Sequence, residues 1–181
     1  MSTYDVNKIT IERPDRLDVT SIEALFERVL KDNWLKNGLW DLQADLHEEI
    51  EVKKAFLALD FDTQGKEKYF LIAKVGETVV GTIEIGEAND TIKACDDELL
   101  NQLPEIGTVF VLPEFQGKGI GSKLMEAMGE HLRKERYKGF CIDSGYKSAQ
   151  GIWLYKFGAP TYLLKDHWGP GLDHMVWKVL F

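Results

Sequence analysis

The stretch from Val109 to Gly121, Val-Phe-Val-Leu-Pro-Glu-Phe-Gln-Gly-Lys-Gly-Ile-Gly, constrains this chain more than any other. An apolar run passes through a proline-marked turn into a glycine loop. Ile120, Leu124, Met128 and Leu132 then recur at helical spacing, with Lys123, Glu126, Glu130 and Arg133 facing outward. The reading is strand, turn, loop, helix. Glycine at 117, 119 and 121 removes side chains where backbone N–H groups must approach an anion, and the helix turns its positive dipole end on the same spot. The expected ligand is anionic and carries phosphate.

Three phosphate motifs compete for these residues. A P-loop needs Gly-Lys followed directly by Ser or Thr, but Lys118 is followed by Gly119, and Ser122 precedes Lys123. The dinucleotide fingerprint, counted from Gly117, needs glycine where Ser122 stands, and a terminal βαβ setting is missing. What remains is Gln-x-x-Gly-x-Gly from Gln116 to Gly121, after a strand ending Val-x-Pro.

With 181 residues the chain is long enough for one domain with a real core, and nothing in it suggests a second. Its 44% hydrophobic and 29% charged content is too apolar for disorder. No apolar run approaches the roughly 18 residues of a membrane span, and Met1 to Asp15 is unlike a signal peptide, so a cytoplasmic location is expected. Cys95 and Cys141 lie far apart, and Cys141 sits in an apolar strand pattern, so both read as ordinary thiols without a disulfide or zinc. The net charge of −8 argues against nucleic-acid binding and suits either a cationic substrate such as an amine or simple solubility.

Along the chain, Val6 to Ile11 alternates as a strand and Pro14-Asp15 marks a turn. Thr20 and Glu23 look like a capping box opening helix one, whose apolar face is Ile22, Leu25, Phe26, Val29 and Leu30. Helix two is expected from Asp41 towards Leu59, burying Leu42, Leu46, Ile50, Ala55, Phe56 and Leu59, with Trp34 and Trp40 at the break before it. Tyr69–Val75 and Thr78–Ile85, split by Gly76-Glu77, read as an antiparallel hairpin. The acidic segment Asp96 to Glu98 fits a short helix or a loop over the next strand. It is either a solvated surface or an attractor for a cationic acceptor. Strand four spans Glu105 to about Leu112, and the helix after the glycine loop is expected to end near Tyr137. Gly139–Asp143 is strand five, parallel to strand four through a right-handed crossover. A short helix over Ser148–Phe157 and strands over Thr161–Leu164 and His174–Leu180 complete the order.

The glutamine-glycine loop, and the order β-α-α-β-β-β-α-β-α-β-β around it, resemble the GCN5-related N-acetyltransferase (GNAT) superfamily, most strongly from Glu105 to Gly158. The resemblance implies an α/β fold with a mixed, mostly antiparallel sheet of six to seven strands, in which parallel strands four and five splay apart. It further implies acetyl-coenzyme A as cosubstrate; no metal is expected, because the four histidines share no metal-ligand spacing. The pantetheine arm would pair with strand four at Val109, Phe110 and Val111, and amides of Gln116, Gly117, Lys118, Gly119, Ile120, Gly121 and Ser122 would hold the pyrophosphate. Exposed N–H and C=O groups on a splayed strand suit an amide-containing arm. The resemblance also allows a homodimer.

Acetyl transfer to an amine needs the neutral nucleophile, and deprotonating an alkylammonium of pKa near 10.4 at pH 7 costs about 4 to 5 kcal/mol. By resemblance, Glu105, eleven residues before Gln116 as in histone-type members, is the candidate base; the alternatives are an exposed strand-start glutamate, Glu84 on strand three, or water. Gly151 to Gly158 is similar to the superfamily's A-x-x-L-Y-x-K-x-G-F element, which makes Tyr155 the candidate acid for the departing thiolate. The competing reading is a tyrosine that packs with its hydroxyl on a backbone carbonyl. Ser148 stands where many members carry a cofactor-contacting asparagine, and Phe157-Gly158-Ala159 is one residue shorter than the usual ending. The four histidines share no metal-ligand spacing, and His167 reads as a loop residue. Trp34, Trp40 and Trp168 fall in expected loops that are candidates to wall an acceptor site. The expected partner is a small-molecule or peptide amine, with no nucleic acid or membrane. A coenzyme A-binding module without catalysis is the alternative from another class, and transfer to a hydroxyl or of a longer acyl chain also stays open.

Overall fold

The computed structural model describes residues 8–181. The chain runs through β1 (Ile9–Glu12), α1 (Val19–Lys36), α2 (Gln43–Thr63), β2 (Lys68–Val75), β3 (Thr78–Gly86), α3 (Asp90–Lys93), β4 (Glu105–Val111), α4 (Ile120–Lys134), β5 (Gly139–Ser144), α5 (Lys147–Phe157), β6 (Tyr162–Leu164) and β7 (His174–Leu180). The seven strands form one mixed sheet in the order β1-β2-β3-β4-β5-β7-β6. β4 and β5 are parallel, whereas β1–β2, β5–β7 and β6–β7 are antiparallel. This is the expected α/β fold, with the parallel pair at the expected place. Val6 and Asn7 of the expected first strand lie outside the described residues. Among those described, no helix is long and apolar enough to cross a membrane.

The chain divides into two compact units, one of residues up to Ile85 with Thr108–His131, the other of Gly86–Gly107 with Leu132–Phe181. In the first, α1 buries Ile22, Leu25, Phe26 and Val29 against Leu57, Phe70, Ile72 and Val79. Each such side chain contributes roughly 1.5–3 kcal/mol of burial. The cap differs from expectation. A 3₁₀ turn over Arg16–Asp18 precedes α1, so the capping box is formed by Asp15 and Asp18, and Thr20 already lies inside the helix. Trp34 belongs to α1 and is buried, its indole N–H donating to Leu42 O at 3.2 Å, whereas Trp40 is exposed.

The inward stripe of α2 also needs correction. Leu46, Ile50, Leu57 and Asp60 are buried, while Ala55 and Leu42 are exposed. Leu42 precedes the first helical residue, and a charged residue at an inward position hides the stripe from a hydrophobicity pattern. Asp60 is fully buried because its charge is answered there: Arg13 donates from Nη2 at 2.6 Å and Nη1 at 3.0 Å, and Phe70 N–H donates at 3.2 Å. Such a carboxylate is tolerated in a core only when its oxygens are satisfied.

Within β4, Thr108 takes φ 50°, a left-handed conformation rarely adopted by a β-branched residue. Two hydrogen bonds hold it, Thr82 Oγ1 donating to Thr108 O at 2.9 Å and Thr108 Oγ1 donating to Glu84 Oε1 at 3.3 Å. Glu84 is buried and its other oxygen meets Lys68 Nζ at 3.1 Å. Gly81 lets α4 approach the sheet, since a Cβ there would lie 3.0 Å from Leu124 Cδ1 and 3.1 Å from Phe110 O.

In the second unit, Ala88, Ile92, Leu100, Leu103, Cys141 and Val176 form the core. β5 pairs with β7 from Gly139↔Leu180 to Ser144↔Met175, while its ladder with β4 is confined to Glu105↔Cys141. The helix after the glycine loop stops at Lys134, short of Tyr137, and Arg136 turns left-handed at φ 65°. The acidic segment forms a loop, and Asp97 is a structural tie. It accepts from Lys178 Nζ at 2.5 Å, Tyr162 hydroxyl at 2.8 Å and Leu100 N–H at 2.9 Å. Lys178 first, then the Leu100 amide and Tyr162, hold its carboxyl well below the usual carboxylate range.

A carboxyl depressed in the folded state adds stability that is present above its unfolded pKa and lost as pH falls through the lower folded value. Asp97→Asn should therefore lower Tm most at neutral pH, with the gap to wild type beginning to narrow below about pH 4. Thermal melts from pH 7 to pH 3 measure this, and a gap that stays constant with pH would exclude the ionic tie.

Candidate active site

The glycine loop lies wholly in the first unit. β4 ends at Val111, a 3₁₀ turn over Pro113–Phe115 follows, and the buried Phe115 anchors it. Gly117 and Gly119 take φ 72° and 81°, and a Cβ added at either would meet nothing within 4 Å. These two glycines are required by backbone conformation, and the space above them is open. Gly121 has no such need; its Cβ would make an ordinary contact 4.0 Å from Val111 Cγ2. Gln116 ties the loop back to the strand, Nε2 donating to Val111 O at 3.0 Å, and Lys118 Nζ donates to Glu114 O at 2.8 Å. Ile120, Leu124, Met128 and Leu132 are all buried, which seats α4 with its first turn at the loop. The first-turn amides of a helix have no acceptor within it, and α4 carries no acidic residue there to oppose an anion. Val109, Phe110 and Val111 are half-buried, and the Phe110 ring packs edge-on to Phe26 at 6.1 Å between centroids.

The second unit holds the candidate acid and base. Tyr155 is 92% exposed on α5, so its hydroxyl lies in water and the packed alternative does not hold. Ser148 is also exposed, two helical turns earlier on the same face, while Trp153 turns inward. Glu105, half-buried at the start of β4, is held by Asn89: the backbone N–H donates to Oε2 at 2.7 Å and Nδ2 to Oε1 at 3.1 Å. The same Nδ2 donates to Asp143 Oδ2 at 2.8 Å, and that oxygen meets His174 Nε2 at 2.9 Å. Trp168 Nε1 donates to His174 Nδ1 at 2.9 Å. Glu105 is therefore no isolated strand-start glutamate. Residues 89, 143 and 174 carry no shared spacing, so sequence reasoning passed over them; the only signal was a set of polar side chains at element ends.

Cys141, paired in register with Glu105, is buried, and its thiol is pushed up to about 12 by that burial, with Glu105 and Asp143 adding repulsion. Both cysteines are free thiols. Among the described residues no group of three or more His, Cys, Asp or Glu is arranged to hold a metal ion.

A left-handed glycine loop at a helix start, beside a strand that turns left-handed at Thr108, is a backbone arrangement suited to an anionic ligand. The model of the acetyltransferase (GNAT) family matches residues 32–159, and the chain belongs to that family. Among solved structures, a GNAT-family protein from Desulfovibrio desulfuricans is similar at TM-score 0.72 and 13% identity, over 95% of this chain and 98% of that one. The PaiA N-acetyltransferase from Thermoplasma acidophilum, in complex with coenzyme A, is similar at TM-score 0.66 and 16% identity, over 94% and 99%. YncA from Salmonella typhimurium, with acetyl-CoA, gives TM-score 0.66 and 18% identity over 95% and 93%. At these identities the likeness is one of fold. No curated protein sequence matches the chain.

Proposed function

We propose that residues 1–181 act as a single N-acetyltransferase domain, moving an acetyl group from acetyl-coenzyme A to a primary amine of a small molecule or peptide by direct attack in a ternary complex. The observation that carries this reading is the Gln116–Gly121 loop, left-handed at Gly117 and Gly119 with open space above both, in a chain of the GNAT family. Amides from Gly117 to Ser122 hold the diphosphate, the Gln116 N–H being engaged by Pro113 O at 3.3 Å; the backbone of Val109, Phe110 and Val111 holds the pantetheine arm, and Ser148 adds a contact. Acetyl-coenzyme A supplies an activated thioester. Glu105 takes the proton of the attacking amine as the new C–N bond forms, and Tyr155 gives its hydroxyl proton to the sulfur as the C–S bond breaks.

Two observations favour this assignment over its competitors. Glu84 is buried and ion-paired with Lys68, out of reach of an incoming amine, whereas Glu105 is half-buried and held by the neutral donors of Asn89, which makes Glu105 the better placed base. A thiol raised as far as that of Cys141 stays protonated at neutral pH and is a poor nucleophile, which favours direct attack over an acyl-enzyme. The net charge of −8 suits a cationic acceptor, and two free thiols suit the reducing cytoplasm.

Calorimetry with acetyl-coenzyme A and an assay of free thiol across an amine panel test the reading together. Binding heat with thiol release on at least one amine is expected. Heat without release across the panel would mark a binding module, and no heat would remove the reading altogether.

A further inference from the structure

The assignment of Glu105 as base, on which this inference rests, gives meaning to the chain of side chains that ends on its carboxylate. An indole N–H can only donate, so Nδ1 of His174 must accept from Trp168. The ring proton then sits on Nε2, which donates to Asp143 Oδ2. At the other end, Asn89 Oδ1 accepts the N–H of Ile92 at 3.0 Å as the N-cap of α3. That bond sets the amide, so both hydrogens of Nδ2 point to carboxylates, one to Glu105 Oε1 and one to Asp143 Oδ2. The direction of every bond in the chain is thus determined. Side chains of His174 and Asp143 are only 7% and 14% exposed. Gly145 makes the arrangement possible, because a Cβ there would lie 2.7 Å from Trp168 Nε1 and 3.2 Å from His174 Nδ1.

We propose that Asn89, Asp143, His174 and Trp168 form a directional brace that holds the Glu105 carboxylate in one orientation, with Trp168 locking His174 as the neutral Nε2–H tautomer. All four are positioning residues. Asn89 bridges two carboxylates with a neutral group, and Asp143 and His174 keep that amide from rotating. The brace orients and does not relay. The Asn89 amide between the two carboxylates neither gives up nor takes on a proton, so one collected by Glu105 does not pass to Asp143 and leaves to water.

The test combines kinetics with a spectroscopic readout on the full chain. Asn89→Ser keeps an N-cap for α3 but cannot supply two side-chain N–H donors. It should leave Tm and the affinity for acetyl-coenzyme A near wild type while lowering kcat roughly 10- to 100-fold, the scale of a misplaced reacting group. Adding Asn89→Ser to Glu105→Gln should bring no further loss, because the asparagine acts through the glutamate. Trp168→Phe, at an exposed ring, should lower kcat less, and in ¹⁵N spectra it should release His174 from the single Nε2–H tautomer seen in wild type.

Full kcat in Asn89→Ser, beside an impaired Glu105→Gln, would overturn the brace and leave the base in place. Losses that add in the double variant would overturn it equally. Full kcat in Glu105→Gln would instead remove the base itself, and the brace's catalytic role with it. A wild-type spectrum with His174 protonated at Nδ1 would overturn the lock whatever the kinetics. Should Asn89→Ser fail to fold, the kcat and spectrum of Trp168→Phe decide: wild-type values in both overturn the brace.

Discussion

Glu105→Gln is expected to lower turnover about 100-fold at neutral pH, within the range that general-base catalysis supplies. The reason lies in the acceptor. An alkylammonium with pKa near 10.4 presents very little free amine at pH 7, and a positioned carboxylate offsets part of that 4 to 5 kcal/mol deficit. The variant should recover as pH rises, because each pH unit below the amine pKa raises the free base about tenfold without help from the protein. The gap to wild type should therefore narrow towards pH 10. Affinity for acetyl-coenzyme A should hold, since the Gln116–Gly121 loop proposed to hold the diphosphate is in the other compact unit of the chain. A glutamine presents one oxygen where Asn89 donates to two, so a thermal melt must accompany the assay to separate lost folding from lost chemistry. Turnover equal to wild type across the pH range would remove Glu105 as base.

Tyr155→Phe is expected to lower kcat by a similar factor, about 100-fold, with Kd for acetyl-coenzyme A unchanged. The side chain is 92% exposed, so removing its hydroxyl strips no buried hydrogen bond, and the unfolding free energy should stay within about 0.5 kcal/mol of wild type. The kinetic signature distinguishes an acid from a binding contact. A hydroxyl that protonates the departing sulfur matters most for a poor leaving group, so the defect should shrink with an acetyl thioester of a more acidic thiol. A defect independent of the leaving group would make Tyr155 a binding residue, and unchanged turnover would reject its role.

The two halves of the candidate site were unequally legible. The loop was readable because its requirements are local: a strand end, a proline turn, glycines at left-handed positions and a helix start all sit within one short stretch. Even there the roles shifted, since Gly117 and Gly119 need positive φ and Gly121 does not. The apolar face of α1 was readable for the same reason, and that of α2 was not. Asp60 points inward because Arg13 and the Phe70 amide wait for it, and neither is near it in sequence. The capping box expected at Thr20 sits instead at Asp15 and Asp18, around a 3₁₀ turn before α1 that no hydrophobic period announces.

Periodicity and glycine placement act over a few residues, so the order of strands and helices, the parallel β4–β5 neighbours and the phosphate-type loop follow from the chain read in one direction. Partners that meet across the sheet do not. Glu105 is held by Asn89, and Asn89 by Asp143, which in turn holds His174 and through it Trp168, residues drawn from a helix cap, three strands and a loop. A hydrogen bond needs its atoms within about 3 Å and correctly aimed. Folding alone brings these distant residues to that distance, which is why a glutamate at the start of a strand becomes a carboxylate with a fixed direction.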